Sequence, residues 1–215
     1  MKALTNISEV MEYFPKHSKA NIKMFLTVLT CMLTLRTTCL YKCKDKMSGV
    51  TLKRKTKAMS HYKQIIRFFK ITGVRDFCEG IFVFILSFIG IESNMLIIDR
   101  TNWKIGKKNI NLLTAGVLFH NCFIPLCWKQ LDKRGNSNFE ERRLLVNRFI
   151  SIWKKAGKSI EGMVAVADRE FIGPEWFGYL HELTFHFVFR LRDNMYFSMS
   201  KTGKKNGSCG VLLRI

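Results

Sequence analysis

The 215-residue sequence predicts a mixed α/β fold, and three observations carry that prediction. Apolar residues recur at helical spacing through the first 91 residues. From residue 94 the pattern shortens to strand-length apolar runs broken by polar junctions. Two of those runs close on an aspartate: Met95-Leu96-Ile97-Ile98-Asp99, and Met163-Val164-Ala165-Val166-Ala167-Asp168. Apolar runs that stop at an acid suggest buried strands delivering carboxylates to one edge of a sheet.

The elements follow in order. Residues 15–45 read as a helix, with Pro15 before it and Ile22, Phe25, Leu26, Leu29 and Leu33 at helical spacing. Ser48-Gly49 reads as a break. A basic run, Lys53-Arg54-Lys55-Thr56-Lys57, then leads into an amphipathic stretch carrying Tyr62, Ile65, Ile66, Phe68 and Phe69. Residues 76–91 form a further helix, expected to pack against the following domain. Met95–Asp99 is the first strand. Asn111–Phe119 and Phe123–Gln130 are two more, joined by a hairpin-like junction at His120-Asn121-Cys122. Ser137-Asn138-Phe139-Glu140 fits a capping box. The helix it opens closes on Lys154, Lys155 and Gly157. Residues 162–168 are the fourth strand, and Gly173-Pro174 opens a short helix. Phe185, Phe187, Phe189 and Leu191 alternate with His186, Val188, Arg190 and Arg192, the pattern of a half-buried fifth strand. Residues 200–210 are polar and glycine-rich, and a short apolar tag follows them.

Composition narrows the partners. The net charge is +20. Residues 1–75 hold 16 Lys/Arg against 3 Asp/Glu, a net of +13, while residues 76–215 contribute +7. A basic block of this kind favours polyanions through counterion release. The 47% hydrophobic content excludes a disordered chain. The longest apolar runs, Met24–Leu35 and Ile81–Ile91, fall short of the roughly 20 residues of a spanning helix. Seven cysteines, an odd number, suggest reduced thiols in a cytoplasmic protein. The expected division is a basic helical DNA-binding region over 1–75, a catalytic core over 76–199 and an irregular tail over 200–215.

Three hairpin-linked strands, a crossover helix and a fourth strand returning beside the first describe a ribonuclease-H-like mixed sheet with flanking helices, preceded here by a helical DNA-binding region. In that topology the first and fourth strands are parallel neighbours, so Asp99 and Asp168 lie within a few Å of each other. Like charges that close call for a cation, and Mg²⁺ uses few carboxylates. Two such ions can activate a water and stabilise a leaving 3′-oxygen. Lys53, Arg54, Lys55, Lys57, Lys63 and Arg67 are the candidate DNA contacts, weighed against a plain solvated basic face. Trp103 and Trp176, just after the two acid blocks, are candidates for stacking on bases, with core packing an equal alternative.

These stretches resemble insertion-sequence transposases of the DDE class, in the group named after insertion sequence four. The resemblance rests on Ile97-Ile98-Asp99-Arg100-Thr101-Asn102-Trp103, on Asn111–Leu131, on Val166-Ala167-Asp168-Arg169-Glu170-Phe171 and on Phe187-Val188-Phe189-Arg190-Leu191-Arg192. Leu35-Arg36-Thr37 and Tyr62–Phe69 are similar to the family's helical DNA-binding region. The resemblance implies Asp99 and Asp168 as the first two catalytic acids and metal ligands, Mg²⁺ or Mn²⁺ as cofactor, and double-stranded DNA carrying terminal inverted repeats as partner. It also implies a homodimer on DNA and a nucleoid-associated location. The family's third acid belongs to a Tyr-x2-Arg-x3-Glu-x6-Lys signature, which this sequence lacks. The chain therefore reads as a copy shortened before the third acid. The alternative function is a non-catalytic DNA-binding fragment or a regulator of an intact transposase. Glu170 is read as non-catalytic.

Overall fold

A computed structural model describes residues 7–51, 57–71, 74–190 and 212–214. The chain divides into two compact units, residues 1–88 and 89–215.

The first unit is helical: α1 (Ile7–Glu12), α2 (Lys19–Leu35), α3 (Leu40–Thr51), α4 (Ala58–Ile71) and α5 (Val74–Ile89). Ser18 caps α2, its hydroxyl accepting from the Asn21 N–H at 3.3 Å. The helix expected over 15–45 is two helices. Arg36 takes the left-handed conformation at φ 48°, and the Arg36 and Thr37 N–H groups close back on the carbonyls of Leu33 and Met32. Such a turn ends a helix without a glycine. Ser48-Gly49 is no break, since α3 runs through it. Two apolar clusters hold the unit. One gathers Val10, Phe14, Ile22, Phe68, Phe77 and Phe84, and the other Val28, Cys31, Cys43, Met47 and Ile65. Phe77 and Phe84 place the apolar face of α5 in the first cluster, so α5 packs with the helices before it. No single helix among the described residues is long and apolar enough to cross a membrane.

The second unit is α/β, a mixed sheet with flanking helices. Its elements are β1 (Met95–Ile105), β2 (Lys108–Phe119), β3 (Cys122–Gln130), α6 (Phe139–Lys155), β4 (Val164–Ala167), α7 (Pro174–Glu182), β5 (His186–Arg190) and the short β6 (Leu212–Arg214). The sheet order is β3-β2-β1-β4-β5-β6. β2 runs antiparallel to both β1 and β3, β4 and β5 run parallel to β1, and β6 runs antiparallel to β5.

Two hairpins build the first half. His120 and Asn121 turn between β2 and β3, both with positive φ (45° and 61°). That is the pattern of a tight two-residue turn, whose twist matches the strands it joins. The β2–β3 ladder shifts register between Ala115 and Gly116, where Gly116 faces Pro125. Only glycine fits there, because a Cβ on residue 116 would overlap the Ile124 carbonyl. β3 is an edge strand, as a proline in a sheet requires.

The crossover helix α6 carries a complete capping box, one residue later than the sequence suggests. The Asn138 side chain accepts from the Glu141 N–H at 2.9 Å, and Glu141 accepts from the Asn138 N–H at 2.8 Å. Ser137 is drawn inward instead, its hydroxyl accepting from the buried Arg142. Leu145, Val146, Phe149, Ile152 and Trp153 form the buried stripe of α6, which packs on β2 and β3. Leu96, Ile98, Leu113, Ala115 and Val117 are buried sheet residues. Pro174 opens α7, whose Phe177 ring stacks on Phe187 with centroids 5.0 Å apart.

Candidate carboxylate site at a sheet edge

The parallel pairing of β1 with β4 sets the site. Its register runs Met95↔Val164, Leu96↔Ala165, Ile97↔Val166 and Ile98↔Ala167. Asp99 and Asp168 directly follow the last paired residues of this register, Ile98 and Ala167. The strand holding Asp99 does not stop there. β1 continues to Ile105 because β2 keeps pairing with it, down to Ile105↔Lys108. What ends beside Asp99 is β4, so the sheet narrows at this point and leaves both acids exposed.

Each acid is fixed locally. Asp99 Oδ2 accepts from the Thr101 hydroxyl at 3.2 Å, and its main-chain carbonyl accepts from the Thr114 hydroxyl at 3.1 Å. Asp168 Oδ1 accepts from the Arg169 N–H at 2.7 Å, and its carbonyl accepts from the Phe171 N–H at 3.0 Å.

A cationic network lies behind the pair. Arg100 Nε donates to both oxygens of Glu170, at 2.8 and 2.7 Å. The remaining Arg100 nitrogens reach Asn111 Oδ1 and Asn136 Oδ1, both at 3.3 Å. The Glu170 carboxylate beside it raises the proton affinity of the Arg100 guanidinium above its ordinary value. Arg142 donates to the Ser137 hydroxyl and carbonyl and to the Glu170 carbonyl, at 2.9, 2.7 and 2.9 Å. Burial pushes the Arg142 guanidinium down, against the opposing pull of Glu170 and Glu141. Arg100, Arg142, Asn111 and Ser137 are the positioning residues that the sequence reading missed. The available signal was an arginine directly after the first acid and a glutamate two positions after the second.

The donor set suits a hard divalent cation. Brought together, two exposed aspartates would offer the carboxylate oxygens that Mg²⁺ prefers. Both oxygens of Glu170 are committed to Arg100. Among the described residues no group of three or more His, Cys, Asp and Glu side chains is gathered for a metal. Trp176 is core, 1% exposed, and is removed as a stacking candidate, whereas Trp103 is 42% exposed.

Of the candidate DNA contacts, Lys57, Lys63 and Arg67 are exposed at the start and along the outer face of α4. His61, Ile65 and Phe68 turn the opposite face of that helix inward. Lys53, Arg54 and Lys55 lie outside the described residues. Lys63 and Arg67 are one helical turn apart and so share a side. Compared with known proteins, the chain matches no family model, no curated protein and no solved structure.

Proposed function

We infer that this chain is a DNA-acting protein of the DDE transposase type, built on a ribonuclease-H-like sheet. The observation that carries the reading is the register Ile98↔Ala167, the last paired step before Asp99 and Asp168. The strand order β3-β2-β1-β4-β5, with β2 alone reversed among those five, supports the fold assignment. The charge of +20 supports a polyanionic substrate.

In this reading Asp99 and Asp168 hold Mg²⁺ or Mn²⁺ against a DNA phosphate. The bound ion would supply Lewis-acid activation of water and charge stabilisation at the phosphate. Arg100 and Glu170 keep the Asp168 loop against β1. Lys57, Lys63 and Arg67 neutralise phosphates along the duplex that carries the element's inverted repeats.

The test is magnesium-dependent nicking of duplex DNA bearing inverted-repeat ends. Asp99→Asn and Asp168→Asn should each abolish it; nicking that survives both changes would remove the site assignment. A second reading, DNA binding without cleavage, is favoured by the absence of a Tyr-x2-Arg-x3-Glu-x6-Lys string from residues 1–215. It predicts a salt-sensitive complex with end-repeat DNA and no cleavage at any Mg²⁺ concentration.

A further inference from the structure

β1 and β2 outrun the rest of the sheet. β1 pairs with β4 only as far as Ile98, and β2 pairs with β3 only from Leu112 onward. Residues 102–110 therefore pair only within the ribbon, from Asn102↔Asn111 to Ile105↔Lys108. Residues 101–109 are exposed throughout.

The ribbon's two faces differ. Side chains alternate along a strand. Trp103, Ile105 and Ile110 fall on one face, while Asn102, Lys104, Asn109 and Asn111 fall on the other. Against the ribbon lies a groove of about 390 Å³, lined by Trp103 and Ile110 as well as Asn102, Lys104 and Asn109, with Lys133, Arg134 and Gly135 across from them. Its far wall is the loop after β3, and that wall is pinned. The buried Asn111 side chain donates to the carbonyls of Lys133 and Gly135 at 3.0 and 3.1 Å, and the Leu131 N–H donates to the Asn111 carbonyl at 2.8 Å.

The groove's lining holds three cations and no acid. Lys133 already spends part of its charge on Glu141, 2.8 Å away. Lys104 and Arg134 are exposed, and Lys107 and Lys108 extend the positive charge to the turn. A groove with cations on both walls, amide donors on one of them and a backbone-anchored loop complements a strand of phosphates.

We propose that this groove seats the sugar–phosphate backbone of DNA, with Lys104 and Arg134 as its principal phosphate contacts. The proposal rests on the DNA-acting reading above and deepens it by placing a DNA contact in the same unit as the two aspartates. Lys104 lies five residues along β1 from Asp99, about 17 Å of extended strand. By the same alternation Asp99 falls on the opposite face of β1, with Thr101 and Trp103, so the groove is a DNA contact separate from the acids.

The experiment is fluorescence-anisotropy titration of a labelled duplex with the full chain over roughly 50–200 mM KCl. The variants are Lys104→Ala/Arg134→Ala and a charge-matched control, Lys154→Ala/Lys155→Ala, at the end of α6. Thermal melts verify that both fold. The groove variant should lose about two units of log–log salt slope and bind about tenfold more weakly, since each phosphate contact contributes about 0.9 of slope. The control should match wild type. A groove variant that binds like wild type overturns the groove and leaves the DNA-acting reading standing. Equal losses in both variants would mean net charge alone, and would overturn it too. A wild-type chain that binds no duplex sinks both.

Discussion

Arg100 and Glu170 form a two-pronged ion pair across 70 positions of sequence, with Arg100 Nη2 also 2.7 Å from Glu170 Oε2. Each partner neighbours one of the two aspartates: Arg100 follows Asp99, and Glu170 is two residues beyond Asp168. The pair straps the loop after β4 to β1 at the level of the carboxylates. Both side chains are largely buried, at 11% and 14% exposure.

Arg100→Met should therefore destabilise the chain by about 3 kcal/mol, because it strands a buried carboxylate. The melting temperature should fall by about 6–12 °C. Adding Glu170→Leu should recover much of the loss, since removing both charges leaves none unpaired. Circular-dichroism melts of the two singles and the double decide it; strictly additive losses would mean the pair is not coupled.

Magnesium should stabilise the wild-type chain through Asp99 and Asp168. At a hundredfold excess over the dissociation constant the gain is about 2.7 kcal/mol. Asp168→Asn should abolish that shift. In EDTA the same variant should melt close to wild type, because residue 168 is exposed and an asparagine oxygen can still accept from the Arg169 N–H. Calorimetry with and without the ion reads both effects.

Gly116→Ala should cost about 3 kcal/mol, the upper range for forcing atoms into a packed site. The added methyl meets the Ile124 backbone, which cannot swing away as a side chain can. Gly178→Ala is the comparison: nothing lies near its added carbon, and it should be neutral or stabilising. Urea midpoints measure the difference.

Alkaline pH should weaken the α6–α7 contact. Burial pushes the Tyr179 phenol up to about 12 from 10.0, and its hydroxyl donates to Asn147 Oδ1 at 2.8 Å. The folded state holds this proton more tightly than the unfolded state. Its contribution is complete below pH 10 and is lost as the pH rises from there through about 12. Tyr179→Phe should flatten the fall in urea midpoint over that window. An unchanged fall would assign alkaline lability to other groups.

Local signals made much of the second unit legible. Alternation over 185–190 gave the exposed and buried sides of β5, and Pro174 marked the start of α7. The parallel pairing of β1 with β4, which brings together the segments leading into Asp99 and Asp168, follows from a fourth strand returning beside the first. Where two residues of one chemical type competed, sequence could not choose. Ser137 and Asn138 are both good caps, and the choice fell to Asn138 because Arg142 draws the serine inward. The turn at Arg36 was hidden because left-handed backbone usually announces itself with glycine or asparagine. The Arg100–Glu170 pair was hidden because no local rule links residues 70 apart. The allegiance of α5 was hidden because an apolar helix face does not name the core it joins.

The proline and register shift on β3 bear on how the chain behaves in a crowd. An outermost strand offers unpaired backbone groups that a second molecule can extend into a continuous sheet. Phe123 and Trp128 on this strand are each 37% exposed and would reward such growth. Pro125 has no N–H to offer, and the irregular spacing beside it defeats a straight, in-step ladder. The register shift at position 116, with Pro125 opposite it, thus makes this border a poor template for its own kind and helps keep separate chains from joining edge to edge.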